Sequence, residues 1–459
     1  MAAMPVIEAF GDFRPKPADG QIWLWDNRAA DRIENRLRSD GRSTMGGKIF
    51  LFLQGPVTPF FAEVADALEA RGNRILRINL CLGDRLFWRR AGATNYRGSL
   101  SRWPAFIADF LDRNGVSHLI LMSEQRDYHQ AAIKAAKARG ISIAVTDFGY
   151  LRPDWITLER DGMNGASIFT KDPEAIRAIA RNARPVDLAL KYHDSFLNQA
   201  VWDVVYQLSQ IFFPLLYPRY RTHQLHNPVL YLLGTGRRLL VKRRAHADAA
   251  RVHRELVANK QPYYLLPLQM ETDYQIRAYS DFPDLTTAIR TVVQSFAVHA
   301  PADAHLLIKN HPLDPGLRSW RKRSAAIAAE AGVSDRVHYV DGGDLDAMLI
   351  GARGTVMVNS TVGLRALVLG CPVQILGTAI YDVPGMVSGQ TLDDFWANPR
   401  APDPELVKAY INAIAATIQM RGVYFSRPGL NHVVAETAHR LDNDLLNVPL
   451  DTTLDSSRQ

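Results

Sequence analysis

Tyr263-Tyr264-Leu265-Leu266-Pro267 runs directly into Leu268-Gln269-Met270-Glu271-Thr272-Asp273. Two later stretches repeat the form: His305-Leu306-Leu307-Ile308 breaks off at Lys309-Asn310-His311-Pro312, and Thr355-Val356-Met357-Val358 at Asn359-Ser360-Thr361-Val362-Gly363. A short apolar run that stops abruptly at polar residues is how a buried parallel strand reads when its carboxyl end opens onto a ligand crevice. Further strands begin near Val337 and Val373, with helical spacing near Asp281–His299, Gly316–Ala331, Asp344–Ala352 and Thr361–Gly370. This alternation predicts an α/β lobe with a parallel sheet.

The chemistry at those strand ends is anion binding. Ser360 and Thr361 stand where a helix begins, so unpartnered backbone N–H groups point outward beside two hydroxyls. Lys309 and His311 bring a full and a titratable positive charge to a neighbouring strand end. Gln269, Pro312, Asn359 and Gly363 complete the candidate donor-binding set. Each motif also has a plain structural reading, a helix cap for Ser360-Thr361 and a turn for His311-Pro312. Arg365, one turn into the same helix, faces either the nucleotide or solvent. Asp344-Leu345-Asp346 has the spacing of a metal-binding DxD but fits an N-cap after Gly342-Gly343 better, so no metal site is expected.

Working outward, 459 residues suffice for two or three domains, and 47% hydrophobic with 22% charged residues is ordinary globular composition. A net charge of +7 suits an anionic ligand, a membrane surface or nucleic acid. No RRM, KH or helix-turn-helix signature appears, so nucleic acid is not the expected partner. The two cysteines, Cys81 and Cys371, form no disulfide framework or zinc cluster, and a reducing cytoplasm is the expected compartment. The N-terminus does not read as a secretory signal, and no window reaches the roughly 20 apolar residues of a spanning helix. Membrane contact is therefore expected to be peripheral.

Six regions are expected. Residues 1–46 read as irregular. Residues 47–195 alternate strand and helix about four times and form a first Rossmann-like, acceptor-binding domain. Gln54-Gly55-Pro56 is not a dinucleotide fingerprint. Near its end, Asp147, Arg152, Asp154 and Glu159 lie within a dozen residues of a strand end. The acids suit a nucleophile or general acid/base, and Arg152 suits a substrate carboxylate; a salt-bridged surface loop is the plainer account. Residues 196–255 are helical, with Ile211-Phe212-Phe213 and Leu215-Leu216 beside Arg237-Arg238 and Lys242-Arg243-Arg244. They read as a basic linker or a membrane-proximal element. Residues 256–400 are the nucleotide-sugar domain, 401–448 are C-terminal helices, and 449–459 a polar tail. Two α/β lobes across a cleft describe a GT-B-like glycosyltransferase, in which Lys309, His311 and the helix start at Ser360 take a metal's place at the leaving phosphate.

The ordered segments Phe52-Leu53-Gln54-Gly55-Pro56, Gly149-Tyr150-Leu151-Arg152-Pro153-Asp154, Pro267-Leu268-Gln269, Lys309 with His311-Pro312, and Asn359-Ser360-Thr361-Val362-Gly363 resemble one family. It is that of the bacterial capsular polysaccharide biosynthesis proteins that transfer 3-deoxy-D-manno-octulosonic acid (Kdo) from CMP-Kdo, in the branch that starts a lipid-linked poly-Kdo linker. The resemblance spans roughly residues 49 to 396. It implies a cytoplasmic enzyme, peripheral on the inner face of the cytoplasmic membrane, with CMP-β-Kdo as donor and a lysophosphatidylglycerol-type lipid as acceptor. It implies no cofactor, and a second Kdo transferase as partner. It places CMP on Lys309, His311, Ser360 and Thr361. The β-linkage from a β-donor implies retention, with Asp147 as nucleophile and Glu159 or Asp154 as acid/base partner. Related transferases carry an acidic pair where this chain has Asp147 alone before Phe148-Gly149-Tyr150. A UDP-sugar transferase and a non-catalytic capsule assembly or export factor are the competing readings.

Overall fold

The computed structural model describes residues 47–212, 214–222, 227–271 and 273–449. The segment 1–46 and, apart from Pro449, the tail 449–459 lie outside the described residues.

The near-continuous apolar runs form two sheets. The first contains β1 (Ile49–Phe52), β2 (Arg74–Asn79), β3 (Thr94–Asn95), β4 (His118–Met122), β5 (Ser142–Phe148) and β6 (Trp155–Arg160), and is completed by β12 (Gln419–Arg421), in the order β12-β6-β5-β4-β1-β2-β3. The second contains β7 (Tyr263–Pro267), β8 (His305–Lys309), β9 (Val337–Val340), β10 (Gly354–Met357) and β11 (Val373–Ile375), in the order β11-β10-β7-β8-β9. The second sheet is parallel throughout. All residues of β4 and β7 are buried, as strands covered on both faces must be. The strand order reverses between β1 and β4 in the first sheet and between β7 and β10 in the second. Those switch points are where an open α/β sheet leaves a crevice at its carboxyl edge.

Two features depart from the sequence reading. The stretch after Pro153 is not a strand-end loop: Trp155–Arg160 folds back antiparallel on β5, with Asp147 opposite Thr157 and Val145 opposite Glu159. The segment 401–448 holds a strand between its helices. Its first helix, Pro404–Thr417, packs on helix Pro173–Asn182; β12 then pairs with β6, and helix Arg427–Asp442 lies on helix Phe60–Glu69. The buried Arg440 guanidinium ties the crossing down, donating to the Thr417 carbonyl at 2.6 Å and the Gln419 carbonyl at 3.1 Å. Two α/β lobes, with the chain returning from the second to close on the first, make a GT-B-like fold.

Between the lobes run helix Phe196–Phe212, a short turn at Pro214–Leu216, and the 31-residue helix Pro228–Ala258. Asn227 caps the long helix by accepting from the Val229 N–H at 2.9 Å. Among the described residues, no helix is long and apolar enough to cross a membrane.

Candidate active site between the lobes

The second lobe's edge is organised at its switch point. Gln269, past β7, donates through Nε2 to Asn359 Oδ1 at 2.9 Å and accepts from the Asn359 N–H at 3.2 Å. Asn359 Nδ2 donates to the Gln275 carbonyl at 2.8 Å. These carboxamides are spent on each other, so they position β7 against β10. Thr361 is the N-cap of helix Val362–Val368 but makes no side-chain cap, and Ser360 Oγ accepts from the Val362 N–H at 3.3 Å. Gly363 is required by close approach: a Cβ there would lie 2.2 Å from the Tyr381 hydroxyl, which donates to the Ser360 carbonyl. Arg365 turns to Asp346, at 2.8 Å, and so pairs with the helix that Asp344 caps.

Lys309 ends β8 and His311 follows it, with β7 between them and β10. Strand spacing puts β8 and β10 roughly 10 Å apart. Lys309 is only 7% exposed, and its ammonium forms no hydrogen bond or ion pair among the described residues. Burial pulls its pKa down, against the pull of Asp341. Arg238, from the long connecting helix, pairs with that same Asp341. His311 Nδ1 accepts from the Leu313 N–H at 3.1 Å, so the proton of the neutral ring sits on Nε2. Burial first, then the charges of Lys309, Arg152 and Arg238, push His311 down to about 4. Of the titratable charge expected at His311, burial favours the neutral form, in which the ring offers Nε2–H as a donor. Pro312 is exposed in the turn that follows.

Across the cleft, Asp147 ends β5 and accepts from Ser123 Oγ at 2.5 Å and from the Phe148 N–H at 2.8 Å. The Arg152 guanidinium lies 5.1 Å from the Phe148 ring centre. It is open to water yet enclosed by protein on most sides, as a side chain projecting into a cleft is. Asp147 in the same lobe favours the charged form of Arg152, whose charge bears on His311 in the other. Asp147 in turn acts on Asp273 of the second lobe.

The other two candidate acids lie in the interior. Asp154 is 0% exposed; it faces Arg421 at 3.0 Å and accepts from the N–H groups of Lys191 and Tyr192 at 2.8 and 3.0 Å. That is a structural ion pair bracing the C-terminal crossing. Glu159, also 0% exposed, accepts from Tyr150 at 2.6 Å and from Ser167. Burial pushes its carboxyl up to about 8, so it is held neutral at pH 7.

The acid that sequence reasoning missed is Glu124. It lies just past β4, 5% exposed, and accepts from the Tyr279 hydroxyl at 2.7 Å. Tyr279 belongs to the second lobe, and Gln125 also donates to it, so this group joins the lobes beside the cleft. Burial raises Glu124 to about 7, the Tyr279 hydrogen bond opposes the rise, and Asp147 adds to it. The available signal was Ser123-Glu124-Gln125-Arg126-Asp127 at a strand end, which reads locally as an ordinary polar turn.

Comparison with known proteins gives the family. The family described as "Capsule polysaccharide biosynthesis protein" matches residues 117–425. The capsule polysaccharide modification protein LipB of Neisseria meningitidis serogroup B is 31% identical over 389 residues, covering 82% of this chain and 91% of LipB. The capsule polysaccharide export protein KpsS of Escherichia coli is 31% identical over 386 residues, covering 83% of this chain and 98% of KpsS. Among solved structures, the Thermosulfurimonas dismutans KpsC β-Kdo 2,7 transferase aligns over 86% of this chain and 99% of its own, at 11% identity and a TM-score of 0.42. The chain belongs to the capsule polysaccharide biosynthesis protein family.

Proposed function

We propose that this protein is a retaining glycosyltransferase. It transfers Kdo from CMP-β-Kdo to a lysophosphatidylglycerol-type lipid on the cytoplasmic face of the membrane, beside a second Kdo transferase. The supporting observation is the pairing of opposite chemistries across one cleft, where Arg152 is attracted by Asp147 of its own lobe and its charge bears on His311 of the other.

In this reading the buried Lys309 ammonium and the His311 Nε2–H bind the donor phosphate, with the backbone at Ser360 and Thr361 adding N–H donors. Arg152 holds the sugar carboxylate. Asp147 attacks the anomeric carbon: the carbon–carboxylate bond forms as the carbon–phosphate oxygen bond breaks, and CMP leaves with the electron pair. An acceptor hydroxyl then attacks the same carbon, its proton passes to Glu124, and Asp147 is released. Two inversions give net retention. A base with a pKa near 7 is matched to proton transfer at neutral pH. Glu124 takes the acid/base role in place of Glu159 or Asp154, which have no access to the cleft.

The test is mass spectrometry of a synthetic lysophosphatidylglycerol incubated with enzyme and CMP-Kdo generated in situ. A gain of one Kdo mass is expected, unchanged by a chelator. Turnover with a UDP-sugar alone, or competition by UDP rather than CMP, sinks the donor assignment. A second reading, a lipid-glycan assembly factor without turnover, draws support from the export label on the E. coli relative. It predicts lipid binding with no mass gain.

A further inference from the structure

The connecting helix Phe196–Phe212 is amphipathic and mounted the wrong way round for a helix whose partner is this chain alone. Leu197, Val201, Val204, Val205, Leu208 and Phe212 recur at helical spacing and form one stripe about 100° wide. All six are exposed, Phe212 at 67%. The face turned inward carries Tyr206, Gln207 and Ser209, each buried. Helix Phe60–Glu69 does the opposite and buries Phe60, Val64 and Leu68. Beyond that helix, Leu215 at the turn is 87% exposed, and Leu233 and Leu240 in the first half of the long helix are 66% and 85% exposed. Large apolar side chains left exposed on two successive helices and the turn at Leu215 mark a surface meant to be covered.

Charge decides what covers it. Residues 204–247 contain no Asp or Glu and seven Arg or Lys, as many positive charges as the net excess of the whole chain. Arg237, Lys242, Arg243 and Arg244 are exposed beside the apolar side chains. Two copies of so basic a face repel each other across a two-fold axis. The most exposed leucine, Leu215, stands at the turn Pro214–Leu216. Apolar side chains level with exposed cations match the boundary between acyl chains and anionic headgroups.

We infer that the outer face of helix Phe196–Phe212, the turn at Leu215 and the basic stretch to Arg244 dock on an anionic lipid bilayer, with the apolar stripe in the headgroup–acyl boundary. The docking also orients the enzyme. Helix Phe196–Phe212 packs on helix Leu82–Trp88 of the first lobe, and the long helix packs on β9 of the second. The docked segment therefore joins both lobes and holds them together at the bilayer. This deepens the lipid-acceptor reading and rests on it for its purpose.

The experiment is co-sedimentation of the full chain with phosphatidylcholine vesicles, with and without phosphatidylglycerol. Light scattering gives the oligomeric state, and calorimetry gives CMP affinity. Wild type binds the anionic vesicles and releases in high salt. Phe212→Glu with Leu215→Glu, and separately Lys242→Glu with Arg244→Glu, each weaken vesicle binding by about ten-fold or more. Melting temperature and CMP affinity stay at wild-type values, because these side chains are already exposed. The inference is overturned if wild type ignores anionic vesicles, if both variants bind like wild type, or if the face holds a dimer that Leu215→Glu dissociates. Loss of vesicle binding with CMP affinity intact speaks only to the docking face. A wild type that binds vesicles but not CMP overturns the donor site and leaves the docking face standing.

Discussion

The first lobe presents Glu124 past the end of β4 and Asp147 as the next-to-last residue of β5; the second presents Lys309 as the last residue of β8 and His311 just past it. Both pairs stand at the carboxyl edge of a sheet, and on both sides burial is the largest influence on the groups it shifts. It raises Glu124 to about 7 and lowers Lys309 and His311. Desolvation disfavours whichever form is charged, so it moves acids up and bases down. Burial thus disfavours the charged form of Glu124, Lys309 and His311 alike. A phosphate entering beside Lys309 and His311 favours their positive forms.

The comparison breaks most directly at Asp147. In the proposed mechanism Asp147→Asn lowers transfer by about three orders of magnitude or more while CMP affinity by calorimetry is kept. Near-normal turnover by this variant removes Asp147 from the chemistry. On the other side, Lys309→Ala weakens CMP binding by roughly ten- to hundred-fold, because a charge-assisted contact is lost, and His311→Ala by about ten-fold or less. Titration of His311 by NMR sharpens this: CMP raises its pKa from the low value of the free protein if the ring meets the phosphate.

Tyr279 joins the two sides, and its loss moves a pKa. Its hydrogen bond lowers the Glu124 carboxyl, so Tyr279→Phe lets that carboxyl rise further. The limb of the kcat profile near pH 7 then shifts upward by about one unit or less, and turnover at pH 7 falls. An unmoved limb takes Glu124 out of the acid/base role.

The smallest effect belongs to Glu159. Its folded pKa of about 8 lies above its ordinary 4.5, so the folded protein keeps a proton that the unfolded chain releases in that window. This contribution is fully present below about pH 4.5 and is lost as pH rises through about 8. Melting temperature should fall across that range, and Glu159→Gln should reduce the fall by roughly 2–4 °C. An unchanged slope means that another group carries the pH dependence.

Much of the fold was legible because its signals are local. Tyr263–Pro267 and His305–Lys309 are strands near where their apolar runs stop, and Asp344 caps a helix as its position after two glycines suggested. Less legible was β6, because a strand after Pro153 that carries Glu159 and Arg160 does not alternate as an exposed strand does; all but Arg160 are buried. β12 is three residues long and gains its identity from pairing with Thr157, Ile156 and Trp155. In the candidate site, Asp154 and Glu159 carried the same local signal as Asp147. Only the packing of Arg421 and Tyr150 against them separates their roles.

By itself, then, the sequence determined the two lobes, the strand ends that bear the polar residues, and the basic, apolar character of the connection. Periodicity, capping and composition act over a few residues and can be read along the chain. Tertiary structure alone decided which acids keep access to the cleft, that Tyr279 reaches Glu124 across the lobes, and that the apolar stripe of Phe196–Phe212 faces outward. Desolvation and contact depend on what lies opposite in space. The groups that set them here are as far apart in sequence as Glu124 and Tyr279, or Asp154 and Arg421.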